Sequence, residues 1–172
     1  MKIKKQIVEL LPAEQQQCIE FGKAIYQNKV SKGFHRPSAK GFDPIKLDIL
    51  TVMSEYALAK YLDVPYKFEL FDGHDEGDVV VNGYKIDVKM ILKFDQLYFD
   101  VRKLHLERSD LFVGVKKKSK YGQLWQIVGW VWRNQIEHNC QAYQQEWYGK
   151  NEIFYRVEEY EQAEFLLSSL RQ

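Results

Sequence analysis

The apolar positions of the chain follow two rhythms. From Asp78 to Val88 they alternate every second residue on either side of Asn82-Gly83. Such a two-residue link closes a hairpin through a type I′ turn, because both residues tolerate a positive φ. The alternation implies a register: Val81 opposite Tyr84, Val80 opposite Lys85, Val79 opposite Ile86 and Asp78 opposite Asp87. One face of the hairpin then collects Val79, Val81, Tyr84, Ile86 and Val88 as a core face, and the other carries Asp78, Val80, Lys85, Asp87 and Lys89. Over 49–62 the period lengthens to that of a helix. Val52, Glu55, Leu58, Ala59 and Leu62 fall on one apolar stripe with Glu55 in its middle.

The same reading carries along the rest of the chain. A helix is expected over 12–29, with Pro12 as its first residue and Cys18, Ile19, Gly22, Ile25 and Tyr26 at helical spacing. Over 30–46, Gly33, Pro37, Ser38, Gly41 and Pro44 break any periodicity and predict a long loop. A strand is expected over 66–71, followed by an acidic, glycine-containing loop to Gly77. The segment 94–106 supports two readings: a strand on Leu97, Phe99 and Val101, or a crossover helix. Strands follow over 111–115 and 124–132, joined through a lysine-rich turn, and an amphipathic helix with Phe165, Leu166 and Leu170 inward closes the chain over 158–170. Trp125, Trp130, Trp132 and Trp147 read as packing residues.

Length and charge narrow the function classes. A chain of 172 residues suits one domain, 1–172, with a full core, and 25 basic against 24 acidic side chains exclude a global polyelectrolyte binder. Any nucleic-acid contact must therefore be local. Cys18 and Cys140 show no framework spacing and read as free thiols of a reducing, cytoplasmic setting. The start of the chain lacks the apolar run of a signal peptide, and no stretch is long enough to span a bilayer, so neither export nor a membrane partner is expected.

The candidate chemistry lies on the second hairpin face. Carboxylates directly opposite on a sheet repel, and a divalent cation would remove the conflict. Magnesium suits such a pair, because it binds through one or two carboxylates and keeps several waters. Lys89, one pleat beyond Asp87, is placed to stabilise charge on a reacting group. Glutamate is almost never buried without a partner, so Glu55 calls for one, most simply the same metal or the lysine. Were the register to slip, Asp75 or Glu76 would take the ligand role; His74, with no second histidine at helical spacing, reads as loop rather than as a zinc ligand. Lys116, Lys117, Lys118 and Lys120, beside Tyr121, could grip a phosphate backbone or serve as a hydrated turn that discourages edge pairing. The same two readings apply to Lys32, His35, Arg36 and Lys40 in the 30–46 loop.

A glutamate on a leading helix, an aspartate on one strand and Asp87-Val88-Lys89 on the next resemble the PD-(D/E)XK phosphodiesterase superfamily, with its restriction-endonuclease-like fold. The phrase Ser54-Glu55-Tyr56-Ala57-Leu58-Ala59-Lys60-Tyr61-Leu62, the Gly77-Asp78 strand, and Ile127-Val128-Gly129-Trp130 before a polar helical turn resemble small phage and prophage members. The chain departs from the name motif in having Gly77 where proline would stand and Asp87 in place of the commoner glutamate. The resemblance implies an α/β or α+β single domain with a small mixed sheet flanked by helices. It implies a nuclease that hydrolyses phosphodiester bonds, most simply in DNA, with magnesium as cofactor and manganese as substitute. Asp78 and Asp87 would be metal ligands, Glu55 an auxiliary ligand or water-positioning acid, and Lys89 the group that orients the attacking water. A homodimer that cuts both strands stays open. So does a catalytically silent protein of the same fold that binds nucleic acid or a protein partner, or that uses metal only to hold its fold.

Overall fold

Two prolines open the two long helices. The computed structural model describes residues 6–34, 41–70, 77–147 and 149–170. In it α1 (Pro12–Ser31) and α2 (Pro44–Leu62) each begin with proline in the first turn, where its missing N–H would have had no partner. Asp43 caps α2, its carboxylate accepting the Ile45 N–H at 2.9 Å. Pro44 therefore starts a helix rather than interrupting a loop, and α2 begins before residue 49, where sequence periodicity placed its start. The two helices meet at Gly22, where an added Cβ would lie 2.6 Å from Ile49 Cα. Gly22→Ala should therefore destabilise the protein. The clash is with backbone and so costs about 1–3 kcal/mol as overpacking, outweighing the roughly 1 kcal/mol that alanine gains in helix propensity. Thermal melting would check it; a higher melting temperature would mean the helices can separate at little cost.

The remaining elements, in chain order, are β1 (Gln6–Glu9), β2 (Val79–Val81), β3 (Tyr84–Ile91), β4 (Phe99–Arg102), the one-turn α3 (Lys103–Leu106), β5 (Leu111–Lys117), β6 (Leu124–Trp132), α4 (Arg133–Asn139), β7 (Gln141–Trp147), β8 (Lys150–Val157), β9 (Glu161–Gln162), a 3-10 turn (Ala163–Phe165) and α5 (Leu166–Leu170). A six-stranded sheet runs β1-β6-β5-β3-β2 with β9 beside β6; β3 and β5 are parallel and the other pairs antiparallel. A second, three-stranded sheet runs β4-β8-β7. The architecture is mixed, of the α+β kind.

Both faces of the large sheet are covered. Leu111, Val113 and Val115 join the core with α1 and α2, while Phe112 points the other way, into a second cluster with Phe99, Val101, Leu106, Val131, Ile136 and Val157. Burial on both faces is why this strand reads as a continuous apolar run.

Two expectations need correction and one ambiguity is resolved. The described part of the 66–71 segment, 66–70, pairs in no sheet. The 94–106 segment is a strand followed by a single helical turn, so each alternative held for part of it. The closing helix shrinks to α5, preceded by β9 and the 3-10 turn, and Phe165 points outward while Leu166 and Leu170 are buried. Strands β1, β7 and β8 were not anticipated. Among the described residues, no helix is long and apolar enough to cross a membrane.

Candidate active site

The hairpin forms as its turn dictates. Asn82 and Gly83 have φ of 50° and 84°, as a type I′ turn requires, and Val79, Val80 and Val81 pair with Ile86, Lys85 and Tyr84. The ladder stops there. Gly77 has φ 90°, the Asp78 N–H donates to the Ile86 carbonyl at 3.0 Å, and Asp78 Oδ2 accepts the Val88 N–H at 2.7 Å. Asp78 and Asp87 are thus not the directly opposed pair that an unbroken alternation would give. The Asp78 carboxylate takes the place of the next ladder carbonyl, at the frayed end of β2.

Glu55 has its partner on the α-helical side of the sheet. The Tyr66 hydroxyl donates a short hydrogen bond to Glu55 Oε2, so a phenol is one partner of this carboxylate. Tyr66 in turn belongs to an aromatic group: its ring centroid lies 4.9 Å from that of Phe68 and 5.9 Å from that of Tyr56, and Phe68 packs edge-on against Phe21 at 5.5 Å. Burial, followed by the charge and hydrogen bond of Glu55, pushes the Tyr66 phenol far up, so it remains a donor. Glu55, Tyr66 and Asp78 line one cleft of about 400 Å³.

Asp87 and Lys89 occupy the other face of β3, where Asp87 stands beside Phe112 in register. Lys89 Nζ lies 2.6 Å from Asp87 Oδ1 and donates to His105 Nδ1 at 2.7 Å, with Asp87 Oδ2 at 3.4 Å from the same imidazole nitrogen. His105 Nδ1 thus lies between the Lys89 ammonium and the Asp87 carboxylate. The Phe112 ring centroid is 5.9 Å from Lys89 Nζ.

Asp78 ties the two faces together electrostatically. Its carboxyl is held well above the usual carboxylate range by burial first, then by the charges of Glu55 and Asp87, with the Val88 hydrogen bond and Lys89 opposing. Asp87 is raised as well by burial, against the pull of Lys89. The other three residues singled out from sequence, Glu55, Asp87 and Lys89, therefore all act on the Asp78 carboxyl.

Hard carboxylate oxygens fit magnesium by type. Among the described residues no three His, Cys, Asp or Glu side chains are gathered as a group that could hold a metal ion. The Cys18 thiol does not compete for a chemical role. Cys18 is fully buried and its pKa is pushed up to about 12 by burial and by the charges of Glu14 and Glu55.

The basic tip needs revision. Strand β5 runs through Lys117, and Lys116 is only 4% exposed, its ammonium donating to the Phe94 and Gln96 carbonyls. Lys116 therefore holds the loop after β3 and is withdrawn from any phosphate. Lys117 and Lys118 are partly buried, with Lys118 Nζ 5.3 Å from the Phe94 ring centroid, which leaves Lys120 and Tyr121 as the exposed tip. Arg36, His35, Lys40, His74, Asp75 and Glu76 lie outside the described residues.

Sequence reasoning missed Tyr66 and His105. His105 sits in the segment whose secondary structure was ambiguous, and the only signal for Tyr66 was the unmet need of Glu55. In comparisons with known proteins, the chain matches no family model, no curated protein and no solved structure.

Proposed function

We propose that this chain is a metal-dependent nuclease that hydrolyses phosphodiester bonds in nucleic acid, DNA in the first instance, on a restriction-endonuclease-like form of the α+β fold. The observation that carries the reading is the position of Asp78, whose carboxyl lies in the fields of Glu55, Asp87 and Lys89 at once. Crowding carboxylates around a buried point costs stability, and a site for a divalent cation is the arrangement that recovers it.

Asp78 and Asp87 would hold the ion. Magnesium or manganese bound there would lower the pKa of a water and offset charge on the scissile phosphate. The chain's own residues supply the rest. Glu55, oriented by the Tyr66 hydroxyl, accepts a hydrogen bond from the attacking water and draws its proton. The water oxygen bonds to phosphorus, one P–O ester bond breaks, and the departing oxygen takes a proton from a solvent water, to which Glu55 later returns the one it drew. Lys89 donates to a phosphoryl oxygen as negative charge grows on it. With Asp87 given over to a cation, His105 Nδ1 would still hold the Lys89 ammonium.

Incubation of supercoiled plasmid and of short oligonucleotides with and without magnesium or manganese tests the reading. Cleavage should require the ion and stop with a chelator. Lys89→Met should cut about a hundredfold more slowly, the usual cost of removing one donor to a developing charge, while binding stays intact. Nucleic acid bound but uncut with either ion would instead support the catalytically silent reading.

A further inference from the structure

We infer that the cleft beside Glu55 and Asp78 receives an unpaired nucleotide, so that the substrate is a single strand or a strand end rather than an intact duplex. The choice of a nucleotide and the cut rest on the nuclease reading above; the preference for an unpaired strand is tested without the cut.

The cleft, about 400 Å³, falls in the size range of small-ligand sites. Its apolar wall comes from separate parts of the chain: Phe21 and Ile25 of α1, Phe34, Tyr66, Leu70 and Val80 of β2. Phe34 is 67% exposed, Leu70 47% and Val80 46%, so large apolar side chains are left in water around one opening. The wall is rigid where it meets the acids, because Tyr66 is packed on Phe68 and bonded to Glu55. A flat apolar group seated here would place whatever is attached to it beside Glu55 and Asp78. A nucleotide has that form, a π-faced base joined to a phosphodiester. In a duplex the base faces are hidden in the stack and only sugars and phosphates point outward, so the apolar wall would have nothing to cover. An unpaired base offers both faces to aromatic rings.

Charge points the same way. Lys29, Lys32 and Lys67 line the cleft together with Glu55, Glu69 and Asp78, and Lys29 Nζ lies 2.6 Å from Asp48. Lys29 is engaged by Asp48, and Lys32 and Lys67 are offset by Glu55 and Glu69, so the cleft gains little from phosphate alone. Binding led by the base should therefore depend weakly on salt, unlike binding led by the backbone.

Fluorescence anisotropy of the full chain in EDTA, with a labelled ten-residue thymidine oligonucleotide and with a labelled hairpin duplex, tests the inference. The single strand should bind at least tenfold more tightly than the duplex. Phe34→Ala, at an exposed position that leaves the melting temperature unchanged, should weaken the single strand by roughly tenfold, as loss of one stacked base does, and leave the duplex unaffected. Phe34→Trp should keep the affinity. Equal affinity for strand and duplex, or no effect of Phe34→Ala, would overturn the inference whether or not the protein cuts DNA. Competition by thymidine monophosphate as strong as by the oligonucleotide would also overturn it, in favour of a free nucleotide. A strand bound in this way and left uncut with magnesium would uphold the inference and overturn the nuclease reading.

Discussion

Asp78→Asn and Asp87→Asn should each lose at least about a thousandfold in magnesium-dependent cleavage, well beyond the loss from removing a single hydrogen-bond donor. Asparagine keeps the shape of the side chain, and its Oδ1 can still accept the Val88 N–H that Asp78 now receives. The loss would therefore report charge rather than folding. Groups that act as one unit are non-additive, so the double variant should be little slower than either single one. Single-turnover cleavage of the strand that binds most tightly is the appropriate measurement. Near wild-type cutting by Asp87→Asn would remove that residue from the site, and with it the role given to Lys89, whose ammonium lies 2.6 Å from it.

A second large effect should appear in stability, with metal and with pH. A ligand that binds only the folded chain at a hundredfold excess over its Kd adds about 2.7 kcal/mol. For a chain of this size that is a rise of roughly 5–10 °C in melting temperature with millimolar manganese or magnesium. Without metal, the carboxyl of Asp78 is raised above its ordinary value of 3.8 by burial and by Glu55 and Asp87. The folded chain therefore holds this proton where the unfolded chain has released it. Its contribution to stability is full below 3.8 and is lost as pH climbs through the raised value. Asp87 acts in the same direction, and Lys89 reduces its effect. Glu14, lowered by its contacts with Lys60 and Leu11 against the cost of burial, acts oppositely.

The wild-type curve mixes these contributions, and the difference from Asp78→Asn isolates one of them. In a chelator the variant should melt higher than wild type near neutral pH, and the gap should close as the buffer is made acidic. The metal-induced rise should shrink sharply in the same variant. Parallel melting curves across about pH 4 to 8 would show that Asp78 is not crowded as described.

How much of this was legible beforehand follows from how far apart the deciding residues lie. The hairpin, its turn and its three-pair register rest on an Asn-Gly link and on period-two alternation among immediate neighbours, and the sequence by itself determined them. The same holds for the core stripe of α2 and for the need of Glu55 for a partner, since a half-buried carboxylate among core positions calls for one whatever lies around it.

What only the tertiary structure decided are contacts with no local pattern. Tyr66 reaches Glu55 across the end of α2, and His105 reaches Lys89 from a single helical turn that packing imposes on an ambiguous segment. Lys116 looked like one more lysine in a basic turn until the loop carrying Phe94 and Gln96 folded over it and offered carbonyls to its ammonium. Strand β7 is mostly exposed and polar, so alternation could not announce it; pairing with β8 alone makes it a strand. The break at Asp78 is of the same kind. Alternation counts residues and presumes an unbroken ladder, whereas the positive φ of Gly77 and the Val88 N–H turn the carboxylate into a substitute for backbone, and that choice is made only when both strands are in place.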